Sequence, residues 1–318
     1  MITMEEKIPL ICIVGPTASG KTSLAIKLAK IFDGEIVSAD SMQIYKGMDI
    51  ATAKPSLLER DGIIHHLIDF LEIDKSFSVA QYCEIAHSII KDIHTRGKTP
   101  ILVGGTGLYV DSLLNNITFS DADSDEKLRE ELYEQYTSYG VDFLLDKLSS
   151  FDKCSAQRLS TDKNVKRIIR AIEVYQLTGI TMTEHNEKST LCDSPYRFVK
   201  IGLTATNRQY LYDRINRRVD IMVENGLVDE AREYLSKHLS TTSSMAIGHK
   251  ELLPYLNGEV ELETCLENLK MQTRRYAKRQ LTWFKRDLNI NWLDIDTLDE
   301  EELLNKSEQT IKKVLFNE

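Results

Sequence analysis

The chain has 318 residues, enough for one large domain or two modest ones, each with its own hydrophobic core. Its 42% hydrophobic and 28% charged residues are typical of a globular protein and exclude a disordered or fibrous chain. The apolar run at 8–14 is too short to span a bilayer, so we expect no signal peptide, no membrane anchor and a cytoplasmic location.

The first third of the chain alternates between strand and helix patterns. Residues 8–14 are a continuous apolar run that ends at Gly15, as expected of a strand buried in a parallel sheet. Helix and strand patterns then alternate at 22–31, 35–39, 79–94 and 100–103. This alternation predicts an α/β fold, a three-layer sandwich with a mostly parallel sheet.

The pattern changes near residue 120. From 120 to 195 the sequence has helical periodicity and no convincing strand, with a basic helix at 164–177. Strand character returns at 198–203, and helices are expected at 208–225, 227–238 and 262–287. We therefore expect a catalytic core made of residues 1–119 and 196–318, interrupted by an all-helical insertion domain at 120–195.

A phosphate-binding motif follows the first predicted strand. The sequence GPTASGKT matches G-x-x-x-x-G-K-[ST] between a strand and a helix, which is the context the motif requires and makes the core P-loop NTPase-like. Lys21 would add a mobile positive charge, and the Thr22 hydroxyl is suited to an Mg²⁺ that the phosphates share. The motif indicates that the site binds a di- or triphosphate, and the motif taken alone would suggest ATP. The predicted phosphate site comprises Gly15, Pro16, Thr17, Ala18, Ser19, Gly20, Lys21 and Thr22.

An acidic residue is missing where a P-loop ATPase usually has one. The strand predicted at 100–103 runs into Gly104, Gly105 and Thr106 instead of an Asp that would help to hold magnesium. The acid at a central strand end is Asp40, which should face the ligand crevice because ligands bind at the carboxyl ends of parallel strands. Asp40 is then free to act on a second substrate; a turn cap is the alternative role.

The five cysteines are scattered, and none forms a C-x-x-C pair. Zinc ligation and a disulfide framework are therefore not expected, and buried, reduced thiols are.

Five long motifs in the same order make the sequence resemble the bacterial tRNA dimethylallyltransferases along nearly its whole length. They are GPTASGKT at 15–22, DSMQIYKGMDIATAKP at 40–55, GGTGLY at 104–109, DRINRR at 213–218 and TRRYAKRQLTWFKR at 273–286. The resemblance implies transfer of a dimethylallyl group from dimethylallyl diphosphate to the N6 amine of the adenosine at tRNA position 37, 3′ to the anticodon. The phosphate loop with Thr22 further predicts Mg²⁺ as cofactor, and the missing acid at the end of the strand predicts that the transfer needs no ATP.

The family also implies roles for charged residues. Asp40 takes the position of the general base, and Lys21, Thr22, Arg214 and Arg218 would stabilise the departing diphosphate. Arg214 and Arg218 are spaced i, i+4 and share a helix face, for which a solvated surface is the alternative interpretation. That alternative is stronger for Arg217.

The implied macromolecular partner is the tRNA anticodon stem-loop. The net charge of −9 conceals a basic stretch at 270–286 without an acidic residue, as expected of a helix that follows phosphates. One departure concerns His249, where relatives usually have Tyr, which puts base contact by His249 in doubt. The predicted tRNA-binding residues are Asp40, Ser41, Met42, Gln43, Thr106, Arg129, Asn164, Val165, Lys166, Arg167, Ile168, Met245, Ala246, Ile247, Gly248, His249, Lys250, Thr273, Arg274, Arg275, Tyr276, Ala277, Lys278, Arg279 and Gln280.

Three other functions share some of these features. A prenyltransferase acting on free adenylate would need the phosphate loop and Asp40 but neither the basic helix nor the insertion. A nucleotide kinase would need an acceptor phosphate site, which the sequence does not offer. An ATP-gated RNA-binding protein would bind tRNA without changing its mass. Nothing in the sequence suggests more than a monomer.

Overall fold

The computed structural model describes residues 7–117, 125–189 and 193–317. The chain divides into two compact units at Leu114 and at Asp193, so the first unit contains both ends of the described chain and the second contains the segment between them. The predicted boundary between residues 119 and 120 lies outside the described residues.

The described residues of the first unit form a central six-stranded parallel sheet in the order β3-β2-β4-β1-β5-β6. The strands are β1 (Ile8–Val14), β2 (Gly34–Ser38), β3 (His65–His66), β4 (Thr99–Gly104), β5 (Tyr196–Thr204) and β6 (Ile290–Asp294). The four predicted strands are β1, β2, β4 and β5. The two strands that were not predicted, β3 and β6, are the outermost strands of the sheet. Because all strands are parallel, their carboxyl ends meet at one edge of the sheet, called here the carboxyl edge.

In the described ranges, twelve α-helices surround this sheet or build the second unit. They are α1 (Lys21–Ile31), α2 (Val79–Thr95), α3 (Gly107–Leu114), α4 (Glu126–Ser149), α5 (Lys153–Ser160), α6 (Val165–Thr178), α7 (Met182–Ser189), α8 (Arg208–Glu224), α9 (Leu227–Leu235), α10 (Leu253–Leu256), α11 (Leu262–Phe284) and α12 (Glu300–Ile311). Two 3-10 turns (Ser243–Met245 and Lys250–Leu252) precede α10, and a π-helical turn (Lys312–Phe316) follows α12.

Helices cover both faces of the sheet, which explains why its central strand is apolar on both sides. Ile11 and Ile13 pack with α1, α8 and the C-terminal helical segment in one core cluster. On the other face lie α2 and α3, where Tyr82 and Tyr109 stack with ring centroids 4.1 Å apart. The prediction of an α/β sandwich with a parallel sheet is confirmed.

The described residues of the second unit form helices α4 to α7, as predicted for the insertion. Their core contains Leu132, Leu144 and Ile168. Helix α4 is broken at Gly140, whose φ of 83° is accessible to glycine without strain.

The cysteines follow the expectation only in part. Cys12, Cys83 and Cys265 are buried free thiols, whereas Cys154 is exposed on α5, so the prediction of burial is wrong for it. Cys192 lies outside the described residues.

Candidate active site at the carboxyl edge of the sheet

The loop between β1 and α1 has the form of an anion-binding site. Ala18 (φ 62°) and Gly20 (φ 91°) are left-handed, which curls the loop so that successive amides can converge on one ligand. Gly20 caps α1 without a side-chain hydrogen bond to the first turn. Within the described residues the buried Ser19 hydroxyl has no hydrogen-bond partner. The loop therefore keeps unsatisfied donors at a helix N-terminus, where negative charge is stabilised.

Lys21 begins α1 and turns back over this loop. Its Nζ donates a hydrogen bond to the Pro16 carbonyl oxygen at 2.6 Å. Burial, and to a smaller extent the nearby charge of Arg218, lowers the pKa of Lys21 to about 7, although the charge of Asp40 acts in the opposite direction. No salt bridge to Lys21 occurs among the described residues. A bound diphosphate would supply the missing negative charge.

Asp40 follows β2 and caps a turn, which is the alternative to a catalytic role that the sequence left open. Its Oδ1 accepts hydrogen bonds from the backbone amides of Met42 (2.9 Å) and Gln43 (3.3 Å). No described residue hydrogen-bonds its Oδ2. Because its charge acts on both Lys21 and Arg218, Asp40 belongs to the same site. The cap thus fixes the carboxylate while one oxygen stays available to a substrate.

Helix α8 brings two arginines to the phosphate loop. Arg214 Nε donates to the Ala18 carbonyl oxygen at 2.8 Å. One turn later, Arg218 is half-buried; burial lowers its pKa, Asp40 and Glu59 raise it, and Arg214 lowers it again. Arg217 is exposed. Arg214 is exposed as well, but its hydrogen bond holds it against the loop, whereas Arg217 has no hydrogen bond or ion pair to the described residues. Arg214 and Arg218 therefore lie on the side of α8 that meets the loop, and the solvated interpretation applies to Arg217.

The three strand-end loops of the site are joined by side chains. The Thr106 hydroxyl, after β4, accepts a hydrogen bond from the Ser41 amide at 3.1 Å, after β2. Gln280 of α11 accepts one from the Thr17 amide at 2.8 Å and donates one to the Gly105 carbonyl at 3.0 Å. No pattern in the sequence indicates this second role of Gln280, because a Gln among Arg and Lys resembles a surface residue.

The structure exposes some of the predicted RNA-binding residues and buries others. Met245, Lys250, Arg275, Lys278 and Arg279 are exposed, and Ser41, Met42, Gln43, Thr106, Ile247, Thr273, Arg274 and Tyr276 are half-buried. The remaining residues of these segments are buried, which leaves them little surface for contact with RNA: Ala246, Gly248, His249, Ala277 and Gln280.

The basic stretch of α11 is also less uniform than its sequence. Lys270 pairs with Asp220 (3.0 Å) and Glu267 (3.1 Å), and Arg274 donates to Asn216 at 2.7 Å. These two cations therefore contact acidic or polar neighbours, and the exposed positive charge of α11 begins at the next residue, Arg275.

His249 is a buried structural group. Only 1% of it is exposed, and its Nε2 lies 2.7 Å from Glu230 Oε1. Glu230 also accepts hydrogen bonds from the backbone amides of Asp49 (2.9 Å), Ile50 (2.7 Å) and Ala51 (2.9 Å). The imidazole thus supports the loop that follows Met48, and its ring has almost no surface through which it could contact RNA.

The predicted residues of the second unit divide in the same way. Ile168 belongs to its core, and Arg129 forms an ion pair at 2.8 Å with Glu173, whose side chain is fully buried. Burial alone would raise the pKa of Glu173, but hydrogen bonds from Arg129 and Arg170 outweigh it and lower the pKa. Asn164 caps α6, Val165 is half-buried, and Lys166 and Arg167 are exposed.

A metal ion would have to share its ligands with the substrate. The described part of the chain has no cluster of three or more His, Cys, Asp or Glu side chains that could hold one. Mg²⁺ commonly keeps several waters and binds through few protein oxygens together with phosphates. The Thr22 hydroxyl, beside the phosphate loop, fits that role. No helix in the described ranges is both long and apolar enough to cross a membrane.

Comparisons with known proteins agree on one family. Residues 43–287 match the model of the IPP transferase family. The chain is 49% identical over 297 residues to the tRNA dimethylallyltransferase of Halalkalibacterium halodurans, covering 93% of each chain. It is 47% identical over 303 residues to that of a Thermoanaerobacter species, covering 94% of this chain and 96% of the relative.

Solved structures give the same result. The tRNA isopentenylpyrophosphate transferase of Bacillus halodurans is 46% identical and superposes with a TM-score of 0.74, covering 98% of both chains. A eukaryotic dimethylallyltransferase solved while acting on tRNA is 30% identical with a TM-score of 0.78, covering 96% of this chain and 78% of that one. The chain belongs to the IPP transferase family.

Proposed function

We propose that this protein transfers a dimethylallyl group from dimethylallyl diphosphate to the N6 amine of adenosine 37 in tRNA, releasing diphosphate. The observation that carries the proposal is the pairing of a phosphate loop with Asp40, whose Oδ2 is free of described partners, at one edge of the sheet. Its relatives named tRNA dimethylallyltransferases support the same reaction.

The site residues suit both halves of this substitution. The N6 lone pair attacks the allylic carbon, and the carbon–oxygen bond to the diphosphate breaks with its electron pair leaving on oxygen. The adenine amine is a weak nucleophile, so Asp40 Oδ2 accepts its proton as the new bond forms. The loop amides, Lys21, Arg214 and Arg218 stabilise the charge that develops on the departing diphosphate.

Mg²⁺ is proposed as the cofactor, with the Thr22 hydroxyl as its protein ligand. When bound, it would neutralise part of the diphosphate charge. ATP is not required in this proposal, because the loop recognises phosphate oxygens and charge, and β4 ends in glycines where an ATPase carries its acid.

The tRNA base must leave its stack to reach an electrophile at the sheet edge. Asp40 to Gln43 and Thr106 are the proposed contacts of the extruded base, since they lie at the strand ends beside the phosphate loop. Arg275, Lys278 and Arg279 are the proposed phosphate contacts on α11, and Lys166 and Arg167 are those of the second unit.

One experiment separates this function from its alternatives. The protein is incubated with Mg²⁺, dimethylallyl diphosphate and unmodified tRNA in nucleotide-free buffer. The tRNA is then digested, and the masses of its nucleosides are measured by mass spectrometry. One adenosine should gain a dimethylallyl group in place of a hydrogen. Modification of free adenylate but not of tRNA would identify an adenylate prenyltransferase. ATP turnover without modification would identify a kinase, and tRNA binding without a change in tRNA mass would identify an RNA-binding protein.

The protein is further proposed to act as a monomer in the cytoplasm. Light scattering of the purified protein, alone and with tRNA, measures the oligomeric state. Cell fractionation measures the location.

A further inference from the structure

Gln280 is a buried polar side chain that touches two loops of the site at once. It is 5% exposed. Its Oε1 accepts the Thr17 amide hydrogen at 2.8 Å, and its Nε2 donates to the Gly105 carbonyl at 3.0 Å. Because one amide group satisfies a donor in one loop and an acceptor in the other, its orientation is fixed and so is the distance between the loops.

The contact between α11 and the glycine-rich turn after β4 leaves no spare room. A Cβ atom on Gly105 would lie 2.1 Å from Gln280 Nε2, and one on Gly107 would lie 2.2 Å from Trp283 Cδ1. Trp283 Nε1 also donates to Asp111 of α3 at 2.6 Å. The inner face of α11 therefore packs against this turn over about one helical turn, from Gln280 to Trp283.

The partner of Gln280 on the other side is the phosphate loop itself. Thr17 precedes Ala18, a non-glycine residue with a φ of 62°. Such a left-handed conformation costs free energy and persists only where the surroundings enforce it. A hydrogen bond from the Thr17 amide to a buried side chain is such a restraint. Gln280 thus helps to hold the loop in the curled form that presents its amides to an anion.

The opposite side of the same helix faces solvent. Arg275, Lys278 and Arg279 are exposed, so Arg279 and Gln280, although adjacent in sequence, lie on different faces of α11. The exposed face is the one that can meet RNA, and the buried face meets the phosphate loop.

We propose that Gln280 is a positioning residue of the diphosphate site, which holds Thr17 and Gly105 in place for the leaving group and makes no contact with RNA. The identity of the diphosphate rests on the proposed function. The positioning role does not, because inorganic diphosphate binding can be measured without tRNA or transfer.

The test compares Gln280→Ala with Lys278→Ala, which alters the exposed face of the same helix. Gln280→Ala should bind inorganic diphosphate, with Mg²⁺ and without RNA, about tenfold more weakly. Its tRNA affinity and the slope of log affinity against log salt should equal those of the unmodified protein. Lys278→Ala should leave diphosphate affinity unchanged and reduce the salt slope by about one.

A second variant, Gln280→Glu, separates positioning from a packing defect. A protonated Glu keeps one donor and one acceptor, whereas an ionised one turns a carboxylate towards the Gly105 carbonyl and the bound anion. Its diphosphate affinity relative to the unmodified protein should therefore recover at low pH and fall as pH rises, whereas the Gln280→Ala ratio stays constant.

Two results would overturn the proposal: diphosphate affinity of Gln280→Ala within twofold of the unmodified protein, or a flattened salt slope for that variant. If the unmodified protein binds diphosphate but does not prenylate tRNA, the proposed function fails while the Gln280 comparison can still be read.

Discussion

The carboxyl edge of the central sheet and the opposite edge, at which the parallel strands begin and which is called here the amino edge, both hold charged side chains away from solvent, but they do so in opposite ways. At the amino edge, Glu35 is 2% exposed and accepts two hydrogen bonds from Arg96. Its Oε2 also lies 2.7 Å from Nε2 of His66. The Arg96 hydrogen bonds lower the pKa of Glu35 to about 2 in spite of burial, so its charged form is favoured. At the carboxyl edge, burial lowers the pKa values of Lys21 and Arg218, so their charged forms are disfavoured.

This difference distinguishes a charge that stabilises the fold from one that is compensated only when a ligand binds. Glu35 has its partners within the protein. The charges of Lys21 and Arg218 repel each other, and Asp40 is the negative charge that compensates both, with Glu59 as a second for Arg218. A cationic site of this kind gains most when an anion binds, because the ligand relieves both the repulsion and the cost of burial. The following predictions test whether the two edges differ in this way.

The largest effect is expected for Lys21→Ala. Removing the charge that faces the leaving group should lower the single-turnover rate by about a thousandfold, even with saturating tRNA. The assay uses nucleotide-free reagents, and added ATP should not restore the rate. In the unmodified protein, inorganic diphosphate should compete with dimethylallyl diphosphate. An absolute need for ATP would contradict the assignment of the loop.

Asp40→Asn should lower the transfer rate by about a hundredfold. The Asn side-chain oxygen can still accept the Met42 and Gln43 amide hydrogens, so the turn should persist while the proton acceptor is lost. Affinity for tRNA, measured by filter binding, serves as the control and should change little. A rate within a few-fold of normal would show that Asp40 acts as a turn cap alone.

Arg218→Ala and Arg217→Ala form a matched pair, since each removes one arginine charge from neighbouring positions of α8. Arg218→Ala should lower the transfer rate and weaken diphosphate binding by about tenfold, because its guanidinium is directed to the site. Arg217→Ala should stay within twofold, because its side chain is exposed. Equal effects would mean that net charge, and not position, matters.

Proton uptake should report the state of Lys21 directly. With a pKa of about 7, Lys21 is about half-charged at pH 7, and a bound diphosphate should draw it to the fully charged form. Calorimetry in two buffers of different ionisation enthalpy should show about half a proton more taken up by the unmodified protein than by Lys21→Arg, which is always charged. The difference should vanish near pH 5.5, where Lys21 is already protonated. Equal uptake at pH 7 would refute the shift.

The smallest effect on transfer is expected for Glu35→Gln, which should leave the rate unchanged and lower the free energy of unfolding by about 1–2 kcal/mol at pH 7. A depressed folded-state pKa contributes stability above the unfolded value, and that contribution is lost as pH falls from about 4.5 to about 2. The variant should therefore lose less stability than the unmodified protein across that interval. Denaturant unfolding at several pH values measures both.

The parts of the fold that were predicted from the sequence are those governed by local pattern. The runs at 8–14 and 198–203 correspond to β1 and β5, and the basic helix predicted at 164–177 is α6. Strand β3 has two residues, too few to show a period, and β6 is a short edge strand whose exposure blurs its alternation. Their strand character comes from pairing with β2 and β5.

The candidate site shows the same division. The sequence by itself determined the phosphate loop and the position of Asp40, because a strand followed by a motif fixes where these groups lie in a parallel sheet. Only the tertiary structure decided which charges of α8 and α11 face the site, that His249 supports a loop, and that Gln280 contacts Thr17. The physical reason is that a helix period of 3.6 places residues on faces but does not say what each face meets; the neighbouring elements decide that.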